Sequence, residues 1–408
     1  MSLRPWTAAE PAGYLAETER LLATVEPRLR AFTHVTADRS HGGGPLAGMP
    51  VAVKEIIDVA GMPVTCGSTT LAGRVPSTDA TAVARLSAAG AVVVGITTST
   101  PFACGTTTVT DHPTRPGHTP GGSSAGSAAA VGAGIVPVAL ASQSQASTIR
   151  PASYCGAWGF KPSHGALPRD GMHLLSETLD DLGVVAASLD DLEAVFTTLI
   201  EPVGPQHVPP TSLRVGRLLL DDGGLPRPET RAALDALVAL VAPLAGVEVV
   251  DGTPDLRSVD AALQGSGQSC FDIFAGESAP TLAGHVAAGE RDPRLRELVE
   301  HAETIGPEGL ARALAHRAEL RTAWATLASS YDVLLTLATT NPAPEGHAST
   351  GCRRLPATAS LLGVPALTAP WLEVDGLPQG VQLIGFEGRD DALLAAARRL
   401  DDLLEEAR

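Results

Sequence analysis

Ser123 and Ser147 stand 24 residues apart in a stretch dominated by small and hydroxyl-bearing side chains, and Lys54 lies upstream in PVAVKEII. A serine hydroxyl is a weak nucleophile until a base takes its proton. A lysine can be that base only when neutral. Near pH 7 this requires its pKa to fall by roughly 3 units from ~10.4, a cost of about 4 kcal/mol. Burial in an apolar strand is one way to depress it. Composition marks the same residue independently, because among 29 basic side chains only Lys54 and Lys161 are lysines. Arginine substitutes for lysine as a surface cation, but not where the group must lose its proton.

The elements between the serines can bring them together. SAGSAAAVGAG reads as a helix from about Ser123 to Gly134, and IVPVALA as a strand from about Ile135 to Ala141. The helix advances ~18 Å at 1.5 Å per residue, and the strand returns about 20 Å at ~3.3 Å per residue. The two paths nearly cancel. A loop at 142–147 can therefore lie beside Ser123 and the free N–H groups at the helix start, which favour developing negative charge.

The rest of the chain supplies a frame for this unit. Residues 7–35 read as helical until Pro27, and 49–61 as a strand running into a turn. DATAVARLSAAG with AVVVGIT forms a second helix–strand pair, and ASLDDLEAVFTTLI and PETRAALDALVALVAPLA are amphipathic helices. LRVGRLLL and GVEVV read as strands, 259–330 as mostly helical, and DVLLTL, ALTAPW and QGVQLIG as returning strands before a helix at 390–407. Such alternation predicts an α/β fold, and with no repeat or linker in view it predicts a single domain.

Composition narrows the function classes. The net charge of −16 argues against nucleic acid and anionic membranes, which reward basic patches. No run reaches the ~18 apolar residues of a membrane span, and MSLRPWTAAEP lacks a signal-peptide core. A cytoplasmic protein is expected. Hydrophobic residues make up 44% of the chain but aromatics only 3%, so the core must be built from Ala, Val and Leu. The five cysteines include no CxxC pair, so neither a disulfide framework nor a metal site is expected. Cys155 reads as a small core residue.

Other chemistries fit less well. Gly122-Ser123-Ser124-Ala125-Gly126 matches the GxSxG nucleophile elbow, and His41-Gly42-Gly43-Gly44 resembles an esterase oxyanion motif. The elbow needs a strand directly before its serine, and TDHPTRPGHTPGG is a run of turn residues. His347, the last histidine, sits in a Pro/Gly-rich loop far from the C-terminus. No phosphate-loop pattern follows a strand. Taken alone, 119–127 is as well read as a flexible Gly/Ser loop, and Ser147 as a loop hydroxyl.

GGSSAGSAAAVGAGIVPVAL followed by SQASTIRPASYCGAWGFKPS resembles the amidase signature family. GMPVAVKEIIDVAG is similar to its lysine strand, SETLDDLGVVAASLDDLEAV to the segment after its nucleophile, and GVPALTAP with GLPQGVQLIG to its C-terminal strands. The resemblance covers most of the chain. It implies one large mixed β-sheet covered by helices on both faces, a single domain over 1–408. The family-like core would lie at about 45–200 and 330–408, with a variable helical region at about 205–330.

The resemblance also implies a Ser-cis-Ser-Lys triad. Ser147 would be the acyl-forming nucleophile, Ser123 on a cis peptide bond the proton relay, and Lys54 the base. The backbone N–H groups of Ser144, Gln145 and Ala146 would form the oxyanion hole. Ser124 would support the lysine–serine hydrogen bonds or cap the helix. Arg150 would bind a substrate carboxylate, as in malonamidase-like relatives, or form a structural ion pair. Lys161 would be structural.

Gln145-Ala146 stands where the family commonly has Gly-Gly, which predicts a narrowed or distorted oxyanion site if φ > 0 is required there. Gln143 replaces an aspartate often found in that loop. The implied function is hydrolysis of a small-molecule carboxamide without cofactor or metal. The alternatives are a glutamine- or asparagine-dependent transamidation subunit with a protein partner, and a catalytically impaired member with a binding role. A homodimer is compatible with either.

Overall fold

A computed structural model describes residues 3–38, 40–200, 211–220 and 226–407. The apolar runs become strands β1 (Phe32–Val35), β2 (Pro50–Lys54), β3 (Val92–Thr97), β4 (Val138–Gln143), β5 (Trp158–Lys161), β6 (Asp181–Ala186), β7 (Leu213–Arg217), β8 (Val247–Val250), β9 (Val333–Leu337), β10 (Ala366–Val374) and β11 (Leu377–Ile384). Among the described residues they form one sheet in the order β1-β3-β2-β4-β6-β5-β10-β11-β9-β7-β8. β2 lies between β3 and β4, parallel to both, while β4, β6, β5, β10, β11 and β9 pair antiparallel in turn.

The helices are α1 (Pro11–Thr24), α2 (Glu26–Leu29), α3 (Thr81–Ala88), α4 (Ala125–Gly132), α5 (Ile149–Cys155), α6 (Leu189–Leu199), α7 (Pro228–Val241), α8 (Pro254–Leu263), α9 (Ser266–Ala287), α10 (Pro293–Thr326), α11 (Arg354–Leu362) and α12 (Asp390–Ala407). They cover both faces of the sheet. Strand alternation divides the side chains between two cores. Val51, Val53, Val138 and Leu140 join a large Leu/Val-rich core, whereas Ala52, Ala139 and Ala141 face a smaller one with residues of α2, α4 and α5. The alanine face lets α4 lie close to the sheet. Gly126 is required there, because a Cβ would come within 2.1 Å of the Ala31 oxygen and 2.5 Å of the Thr98 nitrogen.

Several boundaries differ from the sequence reading. α4 begins at Ala125 rather than Ser123, because the Gly122–Ser123 peptide is cis and Ser124 is not helical. β4 begins at Val138, after Pro137, and runs on to Gln143. Pro27 does not end the N-terminal helical stretch but lies in the first turn of α2, where its missing N–H costs nothing. Within the variable region at about 205–330, the two runs read as strands, LRVGRLLL and GVEVV, become β7 and β8 of the sheet, while residues 205–210 and 221–225 lie outside the described ones. Among the described residues, no helix is long and apolar enough to cross a membrane.

β2, β3 and β4 all point their carboxyl ends the same way, terminating at Lys54, Thr97 and Gln143. Ligands bind outside the carboxyl ends of strands in open α/β sheets. The expected site residues lie there.

Candidate active site

Lys54 closes β2 and is wholly buried. Its Nζ donates to Ser123 Oγ at 2.7 Å and to Ser142 Oγ at 2.8 Å. Burial lowers its pKa to about 7, with the nearby Asp180 and Glu55 charges opposing that fall. Glu55 makes no ion pair with it: its carboxylate accepts from the Ser99 N–H at 2.7 Å and the Thr65 hydroxyl at 3.4 Å. The Asp180 carboxylate accepts from the Leu175 and Ser176 amides at 2.7 and 3.0 Å, and burial raises its own pKa.

The segment 121–124 crosses in front of this lysine. Gly121 has φ +83°, and a Cβ on it would sit 2.8 Å from Pro151 Cα, so the tight approach to α5 needs glycine. Ser123 lies between Lys54 and a cavity of about 300 Å³. Ser124 makes no helix-capping bond. Its hydroxyl donates to the Ser142 carbonyl and accepts from the Ser142 N–H, both at 3.3 Å, so it braces β4 behind the cavity wall. The capping alternative does not hold.

The loop after β4 forms the adjacent wall. Ser144, Gln145, Ala146, Ser147 and Arg150 line the cavity together with Ser123. The Ser124 N–H donates to the Ser147 carbonyl at 3.4 Å, tying the two serine segments together. Gln143 organises the loop from inside. Its Oε1 accepts from the Thr148 and Ile149 amides at 3.0 Å each, and its Nε2 donates to Ser360 Oγ at 3.0 Å. Ser360, on α11, donates in turn to the Gln145 carbonyl at 3.2 Å. The N–H groups of Gln145, Ala146 and Ser147 are left without a described acceptor.

None of Ser144 to Ser147 adopts a left-handed conformation. The backbone of this loop does not require glycine at 145 and 146, and side chains there bring no backbone strain. The condition for the expected distortion, φ > 0 at 145 and 146, is not met.

Arg150 lines the cavity, and each of its three guanidinium nitrogens already donates to a backbone carbonyl. Nε and Nη2 donate to the Gly122 carbonyl at 3.2 and 2.5 Å, and Nη1 donates to the Gly351 carbonyl at 2.6 Å. It braces the cis peptide through the Gly122 carbonyl, while Lys54 holds the Ser123 hydroxyl.

The remaining candidates lie elsewhere. Lys161 is wholly buried against Asp181 at 3.0 Å. Cys155 is buried, its thiol pushed up by desolvation. His347 faces Asp111, and His41 lies in a separate open depression, so among the described residues no histidine meets Ser124 and the elbow constellation is not assembled. Sequence reasoning missed Ser142, Ser360 and the bracing role of Gln143. The only local signal was a hydroxyl- and amide-rich tract starting where an apolar strand ends.

The sequence matches the Amidase family over residues 21–394. It is 32% identical to a glutamyl-tRNA(Gln) amidotransferase subunit of Rhodopirellula baltica, over 90% of this chain and 88% of that protein. A crystal structure of an amidase superposes with a TM-score of 0.85 at 27% identity, covering 96% of each chain. A 6-aminohexanoate cyclic dimer hydrolase complexed with substrate gives 0.84 at 25% identity, over 97% of this chain and 94% of that one.

Proposed function

The chain belongs to the amidase signature family and is an amide-cleaving enzyme, and from that premise we propose that it hydrolyses a small carboxamide through an acyl-enzyme on Ser147. The observation that carries this reading is the 2.7 Å hydrogen bond from a wholly buried Lys54 to Ser123, at the wall of the cavity that Ser147 also lines. Neutral Lys54 has a lone pair for the Ser123 proton, and Ser123 then takes the proton of Ser147. Ser147 Oγ bonds to the amide carbon, and the carbonyl oxygen gains negative charge. The free N–H groups of Gln145 and Ala146 stabilise that charge, with Ser144 completing the loop that presents them. The C–N bond breaks as the proton returns through Ser123 to the leaving nitrogen. Water then attacks the Ser147 ester by the same relay and releases the acid. Arg150 holds the Gly122 carbonyl and so fixes the relay serine.

A second reading is favoured by the curated relatives: release of ammonia from glutamine or asparagine for a protein partner. The curated relatives lie nearer to this reading, and the serine–lysine chemistry of the cavity serves both. Assays of ammonia release by the isolated chain separate them. Full turnover of simple carboxamides without a partner supports hydrolysis, and activity only with an added partner supports transamidation. The triad itself is tested by fluorophosphonate labelling and peptide mass spectrometry. Labelling is expected at Ser147 and lost in Lys54→Ala; labelling at Ser124 would rule the triad out.

A further inference from the structure

Arg294, Glu297 and Arg353 bring charge to the lining of the cavity that the serines also line. Arg294 is neutralised by Glu297 at 2.6 Å. Arg353 is not. Its guanidinium packs over the Phe271 ring, 5.0 Å from the centroid, with Arg294 over the same ring at 4.7 Å. It has no hydrogen bond or ion pair to any described residue. Burial lowers its pKa, and the neighbouring Arg294 charge adds to that fall.

The cavity thus holds three arginines and one glutamate, and that glutamate is already paired. A half-buried guanidinium with no ion-pair partner of its own is costly even with the Glu297 charge nearby, and its planar fork matches a carboxylate through paired N–H donors. Arg150, the residue the sequence marked for that task, spends Nε, Nη1 and Nη2 on carbonyl oxygens.

We propose that Arg353 anchors a carboxylate of the substrate, so that the enzyme selects carboxamides bearing an acid group over neutral ones. The proposal rests on the amide-hydrolysing reading of Ser147 and deepens it. The stacking on Phe271 holds the guanidinium in place and leaves its edge for the ligand. Glu297 is committed to Arg294, so the described lining offers no free carboxylate for a substrate ammonium. The preferred substrate is therefore net negative rather than zwitterionic.

The test separates binding from turnover. In full-length Ser147→Ala, which cannot form the ester, the Kd values of succinamate, glutaramate and butyramide are measured by calorimetry. At least one acid amide is expected to bind about 10- to 100-fold tighter than butyramide, in line with charge-assisted hydrogen bonds. Arg353→Ala, or Arg353→Gln if the alanine variant unfolds, removes that preference, and Arg353→Lys keeps part of it. Equal affinity for acid and neutral amides, or a preference that survives loss of Arg353, overturns the proposal. Binding of L-glutamine as tight as that of glutaramate overturns its charge selectivity. Absence of Ser147 labelling in the wild type would sink the hydrolytic reading and leave these binding results standing.

Discussion

Lys54 and Lys161 are both wholly buried, yet one is bonded to two hydroxyls and the other to a carboxylate. Consecutive residues of one segment create the contrast. Asp181, first in β6, reaches Lys161 at 3.0 Å and His164 at 2.9 Å, and its interactions with these two side chains outweigh burial to hold its pKa down. Asp180, one residue earlier, accepts from two backbone amides at Oδ2 and influences Lys54 only through space. Burial alone does not make a lysine a base. A buried lysine with a contacting carboxylate stays a structural cation, and one facing only hydroxyls is poised to lose its proton.

The contrast can be broken most forcefully at the amines. Lys54→Arg keeps the charge but cannot deprotonate. Its kcat/KM, or its rate of fluorophosphonate labelling at Ser147, should fall at least ~10³-fold, the scale of a lost general base. Lys161→Arg should change the same rate less than about tenfold, because it retains an ion-pair partner for Asp181. Equal losses would show that the two lysines play one role.

Stability should respond in the opposite order. Lys161→Met leaves the buried Asp181 with the His164 ring and the Gly165 amide as its described partners, and urea unfolding should show a loss of about 3–5 kcal/mol. Adding Asp181→Leu should recover most of it. If the single variant unfolds at the wild-type midpoint, Lys161 is not the structural partner.

The pH profile sharpens the comparison further. The active form of Lys54 is neutral and its pKa is about 7, so kcat/KM should rise about tenfold per pH unit below 7 and level off above. The Asp180 charge favours the protonated amine, so Asp180→Asn should shift the break to lower pH. A break that moves upward would overturn the assignment. The smallest effect is expected at Ser142, where removing one of two hydrogen bonds to Nζ by Ser142→Ala should cost about 1 kcal/mol, or roughly fivefold in kcat/KM.

What the sequence disclosed follows from how local each signal is. Apolar runs such as VAVK, VVVGIT and LLTL announced their strands because both faces are buried. β5 and β6 were harder to see: WGFK has only four residues, and DLGVVA starts on an acid that pairs across the sheet. α5 carries a proline at its third position, and α11 holds Thr and Ser on its buried side, so neither shows a clean helical period. Lys54 stood out because a rare residue type lay in an apolar strand. Ser142, Ser360 and Arg353 could not be picked out, since their partners lie 88, 217 and 82 residues away in sequence. The loop at 145–146 misled for a related reason: glycine was expected from a neighbouring pattern, whereas the backbone here keeps negative φ.

The Gln143–Ser360–Gln145 brace has a bearing on acid tolerance. A side-chain amide and a hydroxyl do not titrate between the extremes of physiological pH, so this brace of the nucleophile loop is indifferent to proton concentration. An aspartate in the same place would let go of the Thr148 and Ile149 amides as it became protonated. With glutamine there, mild acid silences the lysine while the scaffold around Ser147 stays assembled, and activity should return in full on neutralisation.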